Sequence, residues 1–148
     1  MKICIGCDQG ALELKDVVKE VLGEFPEVQV EDVGIFTAES VDYPDISEKV
    51  CTKIVQGEAD RGILLCGTGI GISIAANKIK GIRAALCHDV FSARMSREHN
   101  DANVLAMGGR VIGFGPAGEI VRAWLTTEFS QGERHQRRID KMMALENK

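Results

Sequence analysis

The sequence has no excess of positive charge: 18 Lys and Arg stand against 22 Asp and Glu, for a net charge of −4 and a pI near 5.4. A nucleic-acid partner, which binds through neutralised phosphates, gets no general electrostatic support from such a chain. No apolar run approaches the roughly 18–20 residues that cross a bilayer, so no membrane partner is expected either. The opening Met1-Lys-Ile-Cys-Ile-Gly6 is already strand-like, without the h-region and cleavage site of a signal peptide. Five cysteines is an odd count, scattered through strand-like and helix-like segments, which argues against a disulfide framework. These absences together predict a cytoplasmic, reduced protein. There is no internal repeat, low-complexity tract or linker, and 148 residues suit one domain with a real core. No cluster of His, Cys, Asp and Glu has convincing metal-ligand spacing, so no metal is expected.

What the chain does have is two alternating periodicities. Strand patterns occupy residues 2–7, 28–33, 62–66, 82–87 and 103–107, the third continuously apolar as in a strand covered on both faces. Helical spacing occupies 11–23, 45–56, 71–80, 90–98 and 116–129, with Pro116 at a favoured first-turn position. An amphipathic tail helix over 133–146 has no strand to follow and is expected to lean on the domain or on a second subunit. Five strands alternating with helices predict an α/β three-layer fold with a parallel sheet. In such sheets ligands bind beyond the carboxyl ends of the strands. The stretches to search are therefore Cys7-Asp8-Gln9-Gly10, Cys66 to Gly71, Cys87-His88-Asp89 and Gly108-Gly109-Arg110.

The richest of these is Cys66-Gly-Thr-Gly-Ile-Gly71. Gly67, Gly69 and Gly71 leave backbone N–H groups unhindered at a helix entry, which suits an anionic oxygen. A tight strand-to-helix turn needing glycine for geometry alone explains them equally well. The spacing is not that of a P-loop, nor Gly-x-Gly-x-x-Gly, although Asp89 about 20 residues on leaves a weak dinucleotide-binding reading. A thiol placed like Cys66, at a helix N-terminus, ionises more readily and becomes a usable base or nucleophile; a cysteine at a strand end is more often a small hydrophobe. Thr68 adds a hydroxyl able to relay a proton.

Asp8, leaving the first strand, can bind sugar hydroxyls or act as a base, though helix capping is the commoner use. His99 and Asn100 close a helix, where histidine usually serves the dipole. Arg134 and Arg138 lie one helical turn apart and suit a phosphate, although a solvated charged face explains most such runs. Cys4 and Cys7 imitate a redox motif, but residues three apart in a strand point to opposite faces.

Taken together, Gly6-Cys-Asp8, Ser40-Val-Asp-Tyr-Pro44, Cys66-Gly-Thr-Gly-Ile-Gly-Ile-Ser-Ile-Ala-Ala-Asn-Lys78, Gly81-Ile-Arg-Ala84, Ala93-Arg-Met-Ser-Arg-Glu-His-Asn-Asp-Ala-Asn103, and Arg134-His135 with Arg138 resemble type B ribose-5-phosphate isomerases and the related galactose-6-phosphate isomerase subunits. The resemblance runs nearly end to end. It implies a Rossmann-like sheet of strand order 2-1-3-4-5 and one isomerase domain spanning residues 1–148, with 131–148 as a helical arm. It also implies a homodimer or dimer of dimers with active sites shared at the interface. The implied activity is aldose–ketose isomerisation of a phosphorylated sugar without metal or organic cofactor. Matched residue by residue, Cys66 is the base moving a proton between C1 and C2, and Thr68 assists transfer between the two oxygens. Gly67, Gly69, Ile70 and Gly71 belong to the backbone cradle for the enediolate. His99, with Asp8, opens the sugar ring and Asn100 contacts substrate, both supplied across the interface. Tyr43 is a pocket wall, and Arg134, Arg138 and Arg110 clamp the phosphate. One departure stands out: the family's usual histidine after the aspartate of the first motif is Gln9 here. A neutral donor there leaves another hexose or tetrose phosphate open as substrate.

Overall fold

Ile63, Leu64 and Leu65 are each fully buried, and burial of side chains this size contributes roughly 1.5–3 kcal/mol apiece, which puts their strand at the centre of the sheet. In the computed structural model, which describes residues 1–148, five parallel strands form one sheet. They are Lys2–Cys7 (β1), Gln29–Asp32 (β2), Arg61–Cys66 (β3), Ala84–Leu86 (β4) and Val104–Gly108 (β5). The helices are Leu12–Leu22 (α1), Tyr43–Val55 (α2), Ile70–Ala76 (α3), Val90–Glu98 (α4), Phe114–Thr126 (α5) and Glu133–Ala144 (α6). Helices α2 and α3 pack together, while α5 packs on both α1 and α4, giving the expected helix layers around a parallel sheet. No helix is long and apolar enough to cross a membrane.

The strand order is β2-β1-β3-β5-β4 rather than 2-1-3-4-5, so the last two strands exchange places. Burial explains the exchange. All five residues of β5 are buried, as an inner strand requires, whereas the three residues of β4 are all partly exposed. A strand so short and open belongs at an edge. β4 is also shorter than its apolar run, and α3 stops four residues before the expected Lys80. Asn77, the residue that closes α3, ties the two elements together: its side-chain amide donates to the Ala84 carbonyl at 2.9 Å and its side-chain carbonyl accepts the Ala84 N–H at 2.8 Å. Past Asn77 the chain tightens into i−3 turns, the Lys78 N–H donating to the Ala75 carbonyl and the Ile79 N–H to the Ala76 carbonyl, and the Arg83 N–H just ahead of β4 is taken by Asn103 Oδ1 at 2.8 Å.

Of α6 only Ile139 is buried. The arm touches the rest of the chain through His135, stacked on His99 with ring centroids 4.3 Å apart, and through Glu146, whose Oε1 accepts the Gly81 N–H at 2.9 Å.

Candidate active site

Three strand exits converge on Cys66. The Gly109 N–H donates to the Cys66 carbonyl at 2.8 Å, the Arg110 N–H to the Gly67 carbonyl at 2.9 Å, and the Asp8 N–H to the Leu65 carbonyl at 3.1 Å. The loops after β1, β3 and β5 are thus tied backbone to backbone, and the residues they carry are placed by strand ends rather than by flexible side chains.

The Cys66 Sγ is almost wholly buried and accepts the Gly69 N–H at 3.1 Å. Negative charge on that sulfur therefore has a donor already aimed at it. Gly69 achieves this by adopting φ +76° immediately before α3, and a Cβ built on it would lie 2.6 Å from Leu86 Cδ1 and 2.7 Å from the Met107 carbonyl carbon. A left-handed residue other than glycine costs about 1–2 kcal/mol and overpacking about 1–3 kcal/mol. We expect Gly69→Ala to destabilise the fold by roughly 2–4 kcal/mol on those combined terms, read as a drop in thermal midpoint.

The other members of the turn fall into place around the sulfur. Thr68 Oγ1 accepts the Ile70 N–H at 3.2 Å. Tyr43, the first residue of α2, lays its ring on the start of α3, where a Cβ on Gly71 would meet it at 2.5 Å. Gly71 thus makes room for Tyr43 as well as contributing to the turn. Arg110 brings a guanidinium nitrogen to 3.2 Å from where a Gly67 Cβ would stand. Asp8, nearly buried, accepts the Gly10 N–H at 2.8 Å through Oδ1 and braces its own loop instead of capping α1. Gln9 accepts the Val41 N–H at 3.0 Å through Oε1, so the carboxamide –NH₂ is the end left for a ligand.

The remaining candidates form a second group. α4 begins beyond the carboxyl end of β4 and runs back, so His99 and Asn100 reach the amino end of the sheet, where Arg83 Nε donates to the Asn100 carbonyl at 3.0 Å just ahead of β4. His135 stacks there on His99, and the Arg134 guanidinium lies 3.3 Å from His135 Nε2. Burial, His99 and the Arg134 and Arg138 cations hold the His135 pKa below its ordinary value of 6.5. Within one chain, then, Asp8, Gln9, Tyr43, Cys66, Thr68 and Arg110 stand at one end of the sheet, and His99, Asn100, Arg134 and Arg138 at the other.

Two competing readings fall. Asp89 spends both carboxylate oxygens on Ser92, accepting from its N–H at 2.7 Å and its hydroxyl at 2.8 Å, and so caps α4 rather than awaiting a ribose. Cys4 and Cys7 are buried, and desolvation raises both thiols to about 11, so neither is a ready thiolate for redox exchange. One residue the motifs did not single out also belongs to the first group. His88 Nε2 accepts the Gly108 N–H at 2.9 Å; the signal was there, since it is one of only three histidines and stands at a strand exit.

A family model described as Ribose/Galactose Isomerase matches residues 3–142. The ribose-5-phosphate isomerase B of Escherichia coli is 47% identical over 147 residues, covering 99% of this chain and 97% of its own. The D-erythrulose-4-phosphate isomerase of Pectobacterium atrosepticum is 46% identical over 133 residues, covering 89% of this chain and 87% of its own. The solved structure of ribose-5-phosphate isomerase B from Clostridium thermocellum superposes with a TM-score of 0.95 at 52% identity, covering 99% of this chain and 98% of that one. With the sheet, the cysteine turn and these likenesses in agreement, the chain belongs to the ribose/galactose isomerase family.

Proposed function

We propose that this chain interconverts an aldose phosphate and its ketose phosphate through an enediolate, with ribose 5-phosphate and ribulose 5-phosphate as the leading pair. The observation that carries the reading is the Gly69 N–H on the Cys66 sulfur inside a glycine turn. It places a base and a set of backbone donors on consecutive residues. Cys66 takes the proton from C2 of the open-chain aldose and returns it to C1. The enediolate charge that develops meets backbone N–H groups of Gly67, Gly69, Ile70 and Gly71, those of Gly69 and Ile70 turning to the substrate from Cys66 Sγ and Thr68 Oγ1; one such donor is typically worth about 10²–10³ in rate. Thr68 passes the hydroxyl proton between the two oxygens. His99 and Asp8 open the ring, Asn100 contacts the sugar, Tyr43 walls the pocket, and Arg134, Arg138 and Arg110 hold the phosphate.

Because His99 and Asp8 occupy opposite ends of one chain, the reading requires a second copy, giving a homodimer or dimer of dimers with shared sites. An apolar face supports that partner. Ile70 and Ile74 project from one side of α3 and are 52% and 55% exposed, beside the open edge strand β4 with Leu86, and Phe91 is 67% exposed. Residues 1–148 then act as one isomerase domain, with the 131–148 arm carrying the phosphate-binding arginines to the interface.

The test is turnover of ribose 5-phosphate, allose 6-phosphate, galactose 6-phosphate and a tetrulose phosphate by the purified protein; turnover of none removes the reading. Gln9 is the residue expected to select among them, since the relatives named for ribose and for erythrulose phosphates are almost equally identical to this chain. Gln9→His replaces a neutral donor by a chargeable one, and a hydrogen bond to a charged group is worth about 1 kcal/mol more than a neutral one. The expected result is a KM for ribose 5-phosphate lower by roughly 5-fold, with kcat little changed, in steady-state assays below neutral pH.

A further inference from the structure

His88 touches no substrate in the reaction proposed above, yet it is fastened to the back of the cysteine turn. We propose that His88 is a positioning residue for that turn: its neutral imidazole holds Gly108, and Gly108 is the support against which Gly69 aims its N–H at the Cys66 sulfur. The proposal rests on the isomerase reading for its kinetic consequence, but not for the contact itself.

The linkage is short and made of backbone. β4 ends at Leu86, so beyond it the last residue of β5 meets an imidazole, Nε2 accepting the Gly108 N–H at 2.9 Å. A Cβ on Gly108 would lie 2.5 Å from the Thr68 carbonyl carbon, and one on Gly69 would lie 3.0 Å from the Gly108 nitrogen. The two strand exits are therefore pressed together with no side chain between them. A shift of Gly108 passes to Thr68 and Gly69, and Gly69 carries the N–H that sits 3.1 Å from Sγ.

The contact also has a protonation requirement. An imidazole that accepts at Nε2 carries its proton on Nδ1. A second proton would place an N–H on Nε2 facing the Gly108 N–H, and the bond would be lost. Burial lowers the His88 pKa below the ordinary 6.5, opposed by the adjacent Asp89 carboxylate, the one charged group that acts on the ring. The native fold thus prefers the neutral ring. Its contribution is complete above the ordinary imidazole value and disappears as pH falls through the lowered one.

Two variants separate acceptor from shape. His88→Phe keeps a flat ring and removes the acceptor; we expect kcat to fall about 10–100-fold with KM changed by less than about twofold, because a small misplacement of the turn affects the transition state more than binding. His88→Gln keeps an acceptor that does not titrate; it should hold kcat within about threefold of wild type above neutral pH and lack the acid-side inflection assigned to His88. Independently of substrate, the Gly108 amide resonance in ¹⁵N–¹H spectra should titrate together with the His88 ring in wild type and stay flat in His88→Gln. A Gly108 resonance that ignores the His88 titration overturns the proposal, as does wild-type kcat in His88→Phe. If His88→Phe does not fold, His88→Gln and the Gly108 titration decide. Wild-type protein that turns over no sugar phosphate would instead remove the isomerase reading while the Gly108 titration still reports the contact.

Discussion

Cys66→Ser should lower the isomerisation rate by about 10²–10⁴-fold, the range that general acid–base catalysis contributes, while leaving the thermal midpoint near that of wild type. Serine is the informative replacement because it preserves the geometry around the position. The Gly69 N–H that now donates to sulfur can donate to a hydroxyl oxygen in its place, and the site, 4% exposed, accommodates the smaller atom without rearrangement. What serine lacks is basicity: without a partner base a hydroxyl does not take a carbon-bound proton near neutral pH. The other groups at this end that could take a proton already have partners: Asp8 accepts the Gly10 N–H, Thr68 the Ile70 N–H and His88 the Gly108 N–H. The expected loss should appear equally in net isomerisation and in exchange of the substrate C2 hydrogen with deuterated solvent. Cys66→Ser with activity within about threefold of wild type would assign the base elsewhere.

Much of this site can be read from the chain because its chemistry is local. Cys66 through Gly71 are consecutive, and a strand exit followed by a helix entry follows from apolar periodicity and glycine spacing alone. The same locality made β1, β3 and α4 legible close to their observed ends. What escaped depends on partners distant in sequence. The neighbour of β3 is β5 because β4 is short and half-exposed, and that comparison requires knowing which strand is covered. α3 closes at Asn77, whose side chain pairs with Ala84 in the next strand, a contact no propensity encodes. Gly71 reads as one more member of a cradle, yet its missing side chain is where the Tyr43 ring lies, 28 residues away in the chain. His88 stands at a strand exit that the periodicity marks, but its role is not legible there, since it exists only beside Gly108. The separation of His99 from Cys66 is likewise a matter of topology: only the direction of α4 relative to the sheet reveals it.

That separation makes the second large prediction, restoration of activity by mixing two inactive proteins. Cys66 is aligned with Gly108 at one end of the β3–β5 ladder and Gly62 with Val104 at the other. Four residues of strand place those ends about 13 Å apart, and His99 lies beyond the Val104 end. Neither side chain can reach the other within a chain, so the proposed mechanism takes the Cys66 turn from one copy and His99 from its partner. Cys66→Ser and His99→Gln should each lose about 10²–10⁴-fold. After mixing in equal amounts and exchanging subunits, half of the dimers are hybrids, and one of the two sites in each hybrid combines an intact Cys66 with an intact His99. Isologous pairing of this kind predicts recovery to about a quarter of wild-type activity; a site built within one chain predicts only the residual activities of the two variants. The pattern of pairs sharpens the test. Arg134 travels with His99 through the His135 stack, so Arg134→Ala should be rescued by Cys66→Ser but not by His99→Gln. Recovery in the first mixture and none in the second would assign the phosphate-binding arm and the ring-opening histidine to the same side of the interface.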